Sequence, residues 1–337
     1  MSLVSITIAA KNEEKNIEKS LSSALRQSHN PIEIFLIDDT STDKTVEVAE
    51  LCYKNYLESN TEVVKKFTII KNAVNLGFGG SHNVGIRRAT GDFVLCLNAD
   101  CELDKDYVQY ALEAFGRDSK IAALQGKLIN RRTGNIDTTG LLIFKNRRVV
   151  NRGQGEKDRG QFEKQVEVWG ADGASPMYRR EALDDGKIGD EYFDEDFFAY
   201  KEDIDLAWRM RLAGWHAFYQ PKAIGYHDRS AGEGTTTNLF EIVRARRNIS
   251  EFAKFHSFAN QRLMQIKNEI PSSFFKNFPC IFLKEAMSWP YVLIFERYGW
   301  KSAFLFFRLA PKMLQKRFVI MGKKRVSDSE IETWFLQ

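Results

Sequence analysis

Acidic and amide side chains occur in this sequence with types and spacing that suit cation binding and proton transfer. In LNADCEL (97–103), Asn98, Asp100 and Glu102 follow the apolar run GDFVLC. Hard divalent cations take oxygen ligands, and Mg²⁺ commonly pairs one or two carboxylates with substrate phosphates. Asp100 is the natural ligand and Asn98 could bond a ribose hydroxyl, whereas Glu102 has the wrong parity in an extended chain. An Asx turn is the alternative interpretation of this stretch.

A second acidic group lies in DEDFFAYKEDIDLAWRMRLAGW (194–215). The spacing of Ile204, Trp208 and Leu212 predicts a helix that ends at Gly214. Acidic residues in the first turn are favoured by the helix dipole. This explanation does not cover the preceding acids 194–196 or the aromatic residues beside them. Crowded carboxylates raise one another's pKa, as a general base requires, whereas the helix dipole lowers it. The sequence leaves that balance open.

Three other motifs are less specific when each is taken alone. IDDTSTDKT (37–45) supplies good helix N-caps, or a carboxylate for a nucleobase N–H at Asp39. NLGFGGSHNVGI (75–86) places four glycines before a predicted helix, which suits either a tight turn or a bound phosphate. His227 follows a predicted strand, and it becomes a candidate metal ligand only if the fold brings it to Asp100.

The first 125 residues alternate apolar strands with amphipathic helices, which predicts a parallel, doubly wound sheet. In such sheets ligands bind beyond the carboxyl ends of the strands, where the polar clusters after strands one, two and four fall. Residues 126–170 are predicted to form a β-ribbon with a surface loop. The predicted strands are 4–9, 33–37, 67–71 and 93–97, and the predicted helices are 14–26, 43–56 and 82–89.

Composition indicates an ordinary globular protein, with 43% hydrophobic and 28% charged residues in a chain of 337. The four cysteines lack CxxC spacing, which favours a reducing compartment over a disulfide framework or structural zinc. The N-terminal sequence MSLVSITIAAKN has no basic region before its apolar run, so we expect no signal peptide. No run of 18 apolar residues occurs, so we expect no spanning helix.

The net charge of +4 conceals two parts of opposite sign. Residues 254–326 contain 14 Lys and Arg against 3 Asp and Glu, and 15 of the 42 aromatic residues. Beyond about residue 235 the pattern is helical, and no linker separates this part from the body. An acidic body with a basic, aromatic extension predicts two parts with different partners.

Taken together, the order of the motifs resembles that of the inverting family 2 glycosyltransferases with a GT-A fold. The resemblance spans roughly residues 3–250 and is nearest to the bacterial rhamnosyltransferase-like subset of surface-polysaccharide assembly. It implies an α/β, Rossmann-like, mostly parallel sheet flanked by helices, with residues 1–235 as the catalytic domain and 236–337 as a C-terminal helical extension. The motifs are SITIAAKNEE, IDDTSTD, NLGFGGSHNVGI, GDFVLCLNADCEL, GASPMYRREAL, DEDFFAYKEDIDLAWRMRLAGW and YHDRS.

The resemblance also implies roles for individual residues. Asp203, in the pair with Glu202, would be the catalytic base, and Asp100 and His227 would bind Mg²⁺ or Mn²⁺. Asn98 stands where the family has the first Asp of its DxD-like motif, which removes one charge and loosens the expected metal dependence. The residues expected to bind the nucleotide are Ala9, Lys11, Glu13, Asp39, Gly80, Asn83, Asn98 and Asp100.

The implied reaction moves one sugar from a dTDP- or UDP-sugar to a hydroxyl of a lipid-linked glycan, with inversion. The QxxRW-type motif of processive synthases is not found, which favours a single addition. A sugar-phosphate nucleotidyltransferase is an alternative, but it needs a Gly-rich loop with Lys or Arg after strand one, and AAKNEEKN lacks it. The third interpretation is a non-catalytic scaffold. It is disfavoured because the chain retains Asp100, Asp203 and His227 together.

The basic, aromatic segment 254–326 suits an anionic membrane surface, with Lys and Arg at the headgroups and Trp and Phe sinking shallowly. We therefore expect a cytoplasmic protein that is peripheral at the inner face of the plasma membrane. A packing domain or homodimer contact is the alternative. Nucleic acid is not expected as a partner, because the basic residues alternate with apolar ones and no binding motif occurs.

Overall fold

A mixed, mostly parallel β-sheet flanked by helices forms the body of the chain. The computed structural model describes residues 1–59, 65–228, 243–244 and 246–336. The strands are β1 Val4–Ala10, β2 Ile32–Asp38, β3 Lys66–Lys71, β4 Phe93–Asn98, β5 Cys101–Leu103, β6 Ile121–Asn130, β7 Ile136–Thr138, β8 Leu141–Phe144, β9 Val149–Asn151, β10 Val166–Val168, β11 Met177–Arg179, β12 His216–His227 and β13 Phe335–Leu336. The helices are α1 Ile17–Leu25, α2 Thr45–Ser59, α3 Gly77–Arg88, α4 Tyr107–Phe115, α5 Arg180–Gly186, α6 Glu202–Leu212, α7 Glu251–Asn268, α8 Pro271–Lys276, α9 Phe278–Phe295, α10 Gly299–Gly322 and α11 Asp328–Glu332.

The main sheet has the order β10-β12-β6-β11-β4-β1-β2-β3, with β5 paired to β12 and β7 to β6. β1 lies between β2 and β4, and it is parallel to both. These three strands are buried along almost their whole length, which is the environment that their continuous apolar runs indicate. The predicted alternation of strands and helices is confirmed, and the antiparallel β11 is the element between β4 and β6 that it did not include.

The glycine-rich segment differs from its prediction, because its glycines lie within α3 and do not precede it. Gly77 begins the helix at φ +70°, and a Cβ there would lie 2.2 Å from the carbonyl oxygen of Phe198. A Cβ on Gly85 would lie 2.7 Å from Cγ2 of Thr7 in β1. These glycines therefore allow α3 to pack directly on the sheet and on the segment before α6.

Residues 126–170, predicted as a β-ribbon with a loop, include the four short strands β7 to β10. β8 and β9 pair antiparallel, with Leu141 opposite Asn151. The C-terminal strand β13 joins the same small sheet by pairing parallel with β8. The end of the chain is thus connected to the body by backbone hydrogen bonds.

The C-terminal helices share a hydrophobic core with the body. Leu263 of α7 and Met313 of α10 are fully buried in one cluster with Trp169 and Trp208. The boundary expected at 235/236, and the Arg and Ser that end the YHDRS motif, lie outside the described residues. Because its apolar side chains complete a core that the body begins, the C-terminal part packs as a layer of the same structure.

One helix, α9, is long and apolar enough to cross a membrane, with a mean hydropathy of 1.2 over 18 residues. This differs from the expectation of no such helix, because the segment contains Lys284 and Glu285 and so has no uninterrupted apolar run. Core helices of soluble proteins meet the same criterion, but they are mostly buried, whereas only 11% of α9 is buried here.

Candidate active site

A cavity of about 540 Å³ opens at the carboxyl end of β4 and is closed by the N-termini of α6 and α7. Its position agrees with the rule that ligands bind beyond the carboxyl ends of strands in such sheets. The polar and aromatic side chains on which the site's chemistry depends are Asn98, Asp100, Asp172, Tyr200, Lys201, Glu202, Asp203, His227, Asn248, Ser250 and Phe252.

The pairing of β5 with β12 brings Asp100 and His227 together. β4 ends at Asn98, the chain turns through Ala99 and Asp100, and β5 then pairs antiparallel with the end of β12, so that Cys101 faces His227. His227 Nε2 lies 3.4 Å from Asp100 Oδ1. Glu102, on the other side of the strand, pairs with Arg131 at 2.6 Å and takes no part in this contact.

Asp137 holds the other side of the His227 ring. The Nδ1 atom of His227 lies 3.0 Å from Asp137 Oδ2, and both side chains are buried. When Nδ1 carries the hydrogen and donates it to Asp137, Nε2 presents a lone pair toward the Asp100 carboxylate. A carboxylate that orients a histidine in this way is the usual second partner of a metal-binding imidazole. Sequence analysis missed Asp137, because 90 residues separate it from His227.

The donor types of Asp100 and His227 fit a divalent cation that keeps ligands from a substrate. No three His, Cys, Asp or Glu side chains form a metal-binding group within the described part of the chain. Two protein ligands with the remaining positions left to phosphate oxygens is the arrangement in which Mg²⁺ is commonly bound.

Glu13 lies near this pair at the end of β1. Burial, and the charge of Asp100, raise the pKa of Glu13, although a hydrogen bond from Asn16 lowers it. Ala9 pairs with Asn98 in the sheet, and the exposed Lys11 lies 3.3 Å from Thr40 Oγ1. These N-terminal residues border the same sheet edge, but they do not line the cavity.

Asp39 is buried and its carboxylate anchors the start of α3. Oδ1 accepts hydrogen bonds from the backbone N–H of Leu76 at 2.8 Å and from the Asn72 side chain at 2.9 Å. Oδ2 accepts the Gly77 N–H at 2.9 Å. Binding of a nucleobase by Asp39 stays a prediction, and the base would share a carboxylate that already has three protein donors.

Asn83 and Gly80 were predicted to line the donor pocket, and this stays a prediction. Asn83 is fully buried, where its Oδ1 accepts the N–H of Phe193 and its Nδ2 donates to the Phe193 carbonyl, both at 2.8 Å. Gly80 is buried within α3, and neither residue lines the cavity described here.

Asp203 lies in the first turn of α6 and faces the cavity. Its Oδ2 accepts the Gly173 N–H at 3.0 Å, and its Oδ1 accepts the Ile204 N–H at 2.8 Å. Burial, and then the charge of Asp172, raise the pKa of Asp203 to about 6, although these backbone hydrogen bonds lower it. Burial and the charge of Asp172 therefore outweigh the backbone hydrogen bonds and the charge of Lys201 that lower the pKa of Asp203.

The neighbouring Glu202 is a buried carboxyl whose Oε2 has no hydrogen-bond partner among the described residues. Burial, and the adjacent charge of Asp203, raise the pKa of Glu202 well above its ordinary value. The pKa values of both neighbouring carboxyls are thus raised, so the protonated form is favoured at both relative to an isolated carboxyl in water.

The acids that precede α6 bind lysines of the C-terminal helices. Lys267 of α7 pairs with Asp194 and, at 2.9 Å, with Asp205. Lys316 of α10 pairs with Asp196 at 2.8 Å and also contacts Asp194. Although burial raises the pKa of Asp194, the two lysine charges lower it below its usual range. Asp194 and Asp196 therefore have structural partners, and part of the basic character of the C-terminal segment is neutralised by the body.

The loop between these acids and α6 has an uncommon backbone. Phe198, Tyr200 and Lys201 have φ angles of 60°, 68° and 75°, in the left-handed region that side chains disfavour. The buried Asn260 of α7 holds them, because its Nδ2 lies 2.8 to 2.9 Å from the carbonyl oxygens of Phe197, Ala199 and Tyr200. No local sequence signal indicated this contact between two distant segments.

Comparison with known proteins gives sequence relatives over about two thirds of the chain. The chain is 29% identical over 228 residues to poly-β-1,6-N-acetyl-D-glucosamine synthase of Staphylococcus aureus strain COL. The alignment covers 66% of this chain and 48% of that protein. The protein of the same name from Staphylococcus epidermidis is 27% identical over 225 residues, with the same coverage. The chain thus spans about half the length of the curated relatives it matches.

Solved structures with a similar fold contain nucleotides or nucleotide sugars. S. aureus TarS 1–349 in complex with UDP-GlcNAc has a TM-score of 0.56 at 17% identity, covering 96% of this chain and 91% of that one. GalNAc-T7 with UDP, GalNAc and Mn²⁺ has a TM-score of 0.54 at 15% identity, over 85% and 57% of the two chains. Mannosyltransferase PcManGT from Pyrobaculum calidifontis, with GDP-Man and Mn²⁺, has a TM-score of 0.51 at 14% identity, over 98% and 87%.

The likeness to these structures at low identity shows the GT-A fold and no more. The family is shown by a separate match, in which the family model described as Glycosyl transferase family 2 aligns with residues 5–186. That span includes β1 to β4 and the LNADCEL turn, and more than half of the chain. The chain belongs to glycosyl transferase family 2, and it is a glycosyltransferase with a GT-A fold.

Proposed function

We propose that this glycosyltransferase adds one sugar, with inversion, to a hydroxyl of a glycan acceptor and that Asp203 is its catalytic base. The observation that carries the proposal is the half-buried Asp203 carboxylate, which faces the cavity with a pKa raised to about 6. A group with this pKa is ionised at neutral pH and is still basic enough to take a proton from a hydroxyl in the transition state.

The donor is a nucleoside diphosphate sugar, most readily a UDP-sugar or dTDP-sugar. The complex of TarS with UDP-GlcNAc supports a uridine nucleotide, because that protein shares the fold over nearly the whole chain. The synthase name of the sequence relatives supports N-acetylglucosamine among the sugars to be tested. The rhamnosyltransferase-like subset remains a second hypothesis for the sugar.

Asp100 and His227 are the residues that would hold a divalent cation, and Asp137 would orient the imidazole. The GT-A proteins with Mn²⁺ in their structures support the choice of Mn²⁺ or Mg²⁺. When bound, the cation supplies positive charge that offsets the charge of the leaving nucleoside diphosphate. Asn98, which lines the cavity beside Asp100, adds an amide to this side of the site.

The residues at the opposite side of the cavity carry the proton transfer. The acceptor hydroxyl attacks the anomeric carbon from the face opposite the diphosphate, its proton passes to an Asp203 oxygen, and the bond from the anomeric carbon to the diphosphate breaks. A single displacement inverts the anomeric configuration. The Gly173 N–H keeps the Asp203 carboxylate oriented, and the raised pKa of Glu202 disfavours a second negative charge beside it.

We further propose that the outer face of α9 and α10 lies against an anionic membrane at the inner face of the plasma membrane. Large apolar side chains are exposed along both helices, among them Phe295 at 73% and Phe318 at 81%. A surface of this kind exceeds the isolated apolar residues that soluble monomers expose. Lys and Arg residues between the apolar ones suit the headgroups of anionic lipids.

Vesicle flotation tests the membrane contact by point substitution. Deletion of the C-terminal helices would remove core residues such as Met313, so its result would report misfolding. We expect the double variant Phe295→Asp, Phe318→Asp to float less than wild type with phosphatidylglycerol vesicles. The matched control Leu51→Asp, at an exposed position of α2, should float like wild type. Equal flotation of all three would contradict the membrane proposal.

A thermal-shift panel of UDP-, dTDP- and GDP-sugars, each with and without Mn²⁺, tests the donor and the cation. A ligand that binds only the folded state raises the melting temperature. We expect a shift with one nucleotide family that grows with Mn²⁺ and is lost in Asp100→Ala. Absence of a shift with every nucleotide would instead favour a scaffold that has the fold without the reaction.

A further inference from the structure

Two aromatic rings at the mouth of the cavity are exposed although they adjoin the catalytic site. Tyr200 is 42% exposed and Phe252 is 50% exposed, and both line the cavity. Their ring centroids are 6.1 Å apart, with an angle of 62° between the planes. Aromatic side chains contribute to folding by burying their surface, and the exposed half of each of these rings is surface that does not contribute in this way.

Both rings are held in position by α7. Asn260 donates a hydrogen bond to the Tyr200 carbonyl at 2.8 Å and so maintains the left-handed backbone that presents the tyrosine. Phe252 packs edge to face on His256, with 4.6 Å between ring centroids, and against Phe198 at 6.1 Å. A backbone conformation that is costly by itself, yet over-determined by its surroundings, is typical of a functional surface.

We propose that Tyr200 and Phe252 form the acceptor subsite and bind a pyranose ring of the glycan acceptor through its apolar C–H face. This inference rests on the proposed function, since Tyr200 stands three residues before the base Asp203 and a hydroxyl of the stacked sugar must reach it. A ring presents its negative π-face to the partially positive C–H groups of a sugar. The same sugar directs its hydroxyls to the polar residues Asn248 and Ser250, which also line the cavity.

The other linings of the cavity favour a sugar over a lipid chain at this position. Asp172 and Glu202 are buried in its wall and Asp203 is half-buried there, so an apolar chain laid against them would remove their remaining solvation without supplying hydrogen bonds. A pyranose has one apolar face and a polar rim, so it meets both kinds of surface at once. A nucleobase could also stack on aromatic rings, and this competing occupant is an outcome of the test.

Saturation-transfer NMR of the full chain tests the subsite with defined probes. The probes are methyl glycosides of glucose, galactose, rhamnose and N-acetylglucosamine, with hexanol as the apolar comparator and UMP, TMP and GMP as nucleobase probes. We expect saturation at the ring C–H protons of at least one glycoside. Tyr200→Ala and Phe252→Ala should each weaken the binding of that glycoside roughly tenfold, which is the range expected for the loss of one aromatic contact. Phe252→Trp should retain binding.

Phe304→Ala is the matched control, because Phe304 is 68% exposed on α10 and does not line the cavity. The proposal would be overturned if no glycoside binds, or if neither alanine variant changes glycoside binding. It would also be overturned if hexanol is saturated and the glycosides are not. Loss of nucleobase saturation in Phe252→Ala would overturn it as well. The proposed function fails separately, if wild-type protein releases no UDP from any UDP-sugar while a glycoside still binds the rings.

Discussion

The carboxylate of Asp203 accepts the backbone N–H of Gly173, with 3.0 Å between Asp203 Oδ2 and Gly173 N. This contact joins the first turn of α6 to the segment that follows β10 and fixes the carboxylate at the cavity wall. Asp172 lies next to Gly173 and is itself buried, so its charge acts directly on Asp203. Position and proton affinity of the proposed base are therefore set by the same short segment.

The pH dependence of turnover is the first consequence. Because the base must be ionised and its pKa is raised to about 6, activity should be nearly constant above pH 7 and fall as the pH decreases through about 6. Steady-state kcat/KM between pH 5 and 8.5 measures this acidic limb. Activity that stays constant down to pH 4.5 would assign the base to another group.

The variant Asp172→Asn provides the control for this assignment. Removing the charge that raises the pKa of Asp203 should shift the acidic limb by about one unit toward lower pH. Glu181→Gln, at an exposed site on α5, should leave the limb where it is in wild type. If the acidic limb of the pH profile moves equally in both variants, the shift would reflect the overall charge of the protein and not the interaction of Asp172 with Asp203.

Asp203 should also make the fold less stable at neutral pH. Its pKa in the folded chain lies above the ordinary 3.8, so between these values the folded state binds more protons than the unfolded state. The stability contributed by this group is present at low pH and is lost as the pH rises through about 6. Asp203→Asn should therefore raise the free energy of unfolding at pH 7.5 by on the order of 2 kcal/mol.

Thermal unfolding at two pH values checks this linkage. The gain in melting temperature for Asp203→Asn over wild type should be larger at pH 7.5 than at pH 4.5. A variant that is less stable than wild type at pH 7.5 would show that the Gly173 contact outweighs the cost of the buried charge.

The third prediction concerns Asp137, which contacts the proposed cation ligand His227 and is not itself proposed as a ligand. Asp137→Asn should weaken Mn²⁺ binding 10- to 100-fold, because a partner that orients a metal-binding histidine contributes about this much. Electron paramagnetic resonance of Mn²⁺ titrated in the presence of UDP measures the affinity independently of turnover. Unchanged affinity in Asp137→Asn and in His227→Gln would remove the histidine from the cation site.

The buried lysines of the C-terminal helices provide a stability test. Lys267→Met should destabilise the chain by about 3–5 kcal/mol, because it leaves Asp194 and Asp205 buried without one of their cationic partners. The matched control is Lys312→Met, which breaks a pair with Asp196 whose lysine is 50% exposed. We expect that change to cost less than about 1 kcal/mol in urea unfolding. Similar losses in both variants would contradict a structural role for the buried pair.

The sequence was sufficient for β1 to β4 and α1 to α3, because their hydrophobic periodicity is local, but β5, α4 and β6 were not predicted. The place of β11 between β4 and β6, and of β13 beside β8, depends on pairings between distant segments, which no local pattern encodes. The glycines of α3 were assigned to a turn for a related reason. Their use is close packing of the helix on Thr7 and Phe198, which lie far away in the chain.

For the site, motif order identified Asp100, His227 and Asp203, and the structure places all three around one cavity. The residues that hold them could not be found in this way. Asp137, Asn260 and Lys267 act through contacts with segments 60 to 90 residues away in the sequence. The amide of Asn83, which was predicted to line the donor pocket, holds the backbone of Phe193, a contact that motif order did not indicate.

The central claim, that Asp203 is the base of a nucleotide-sugar transferase, is tested most directly in one variant with two readouts. Release of UDP from the UDP-sugar that gives the largest thermal shift is measured for wild type and Asp203→Asn, beside the shift itself. We expect release to fall at least about 100-fold in Asp203→Asn while the nucleotide-induced shift is retained. Equal release by both proteins would contradict the account.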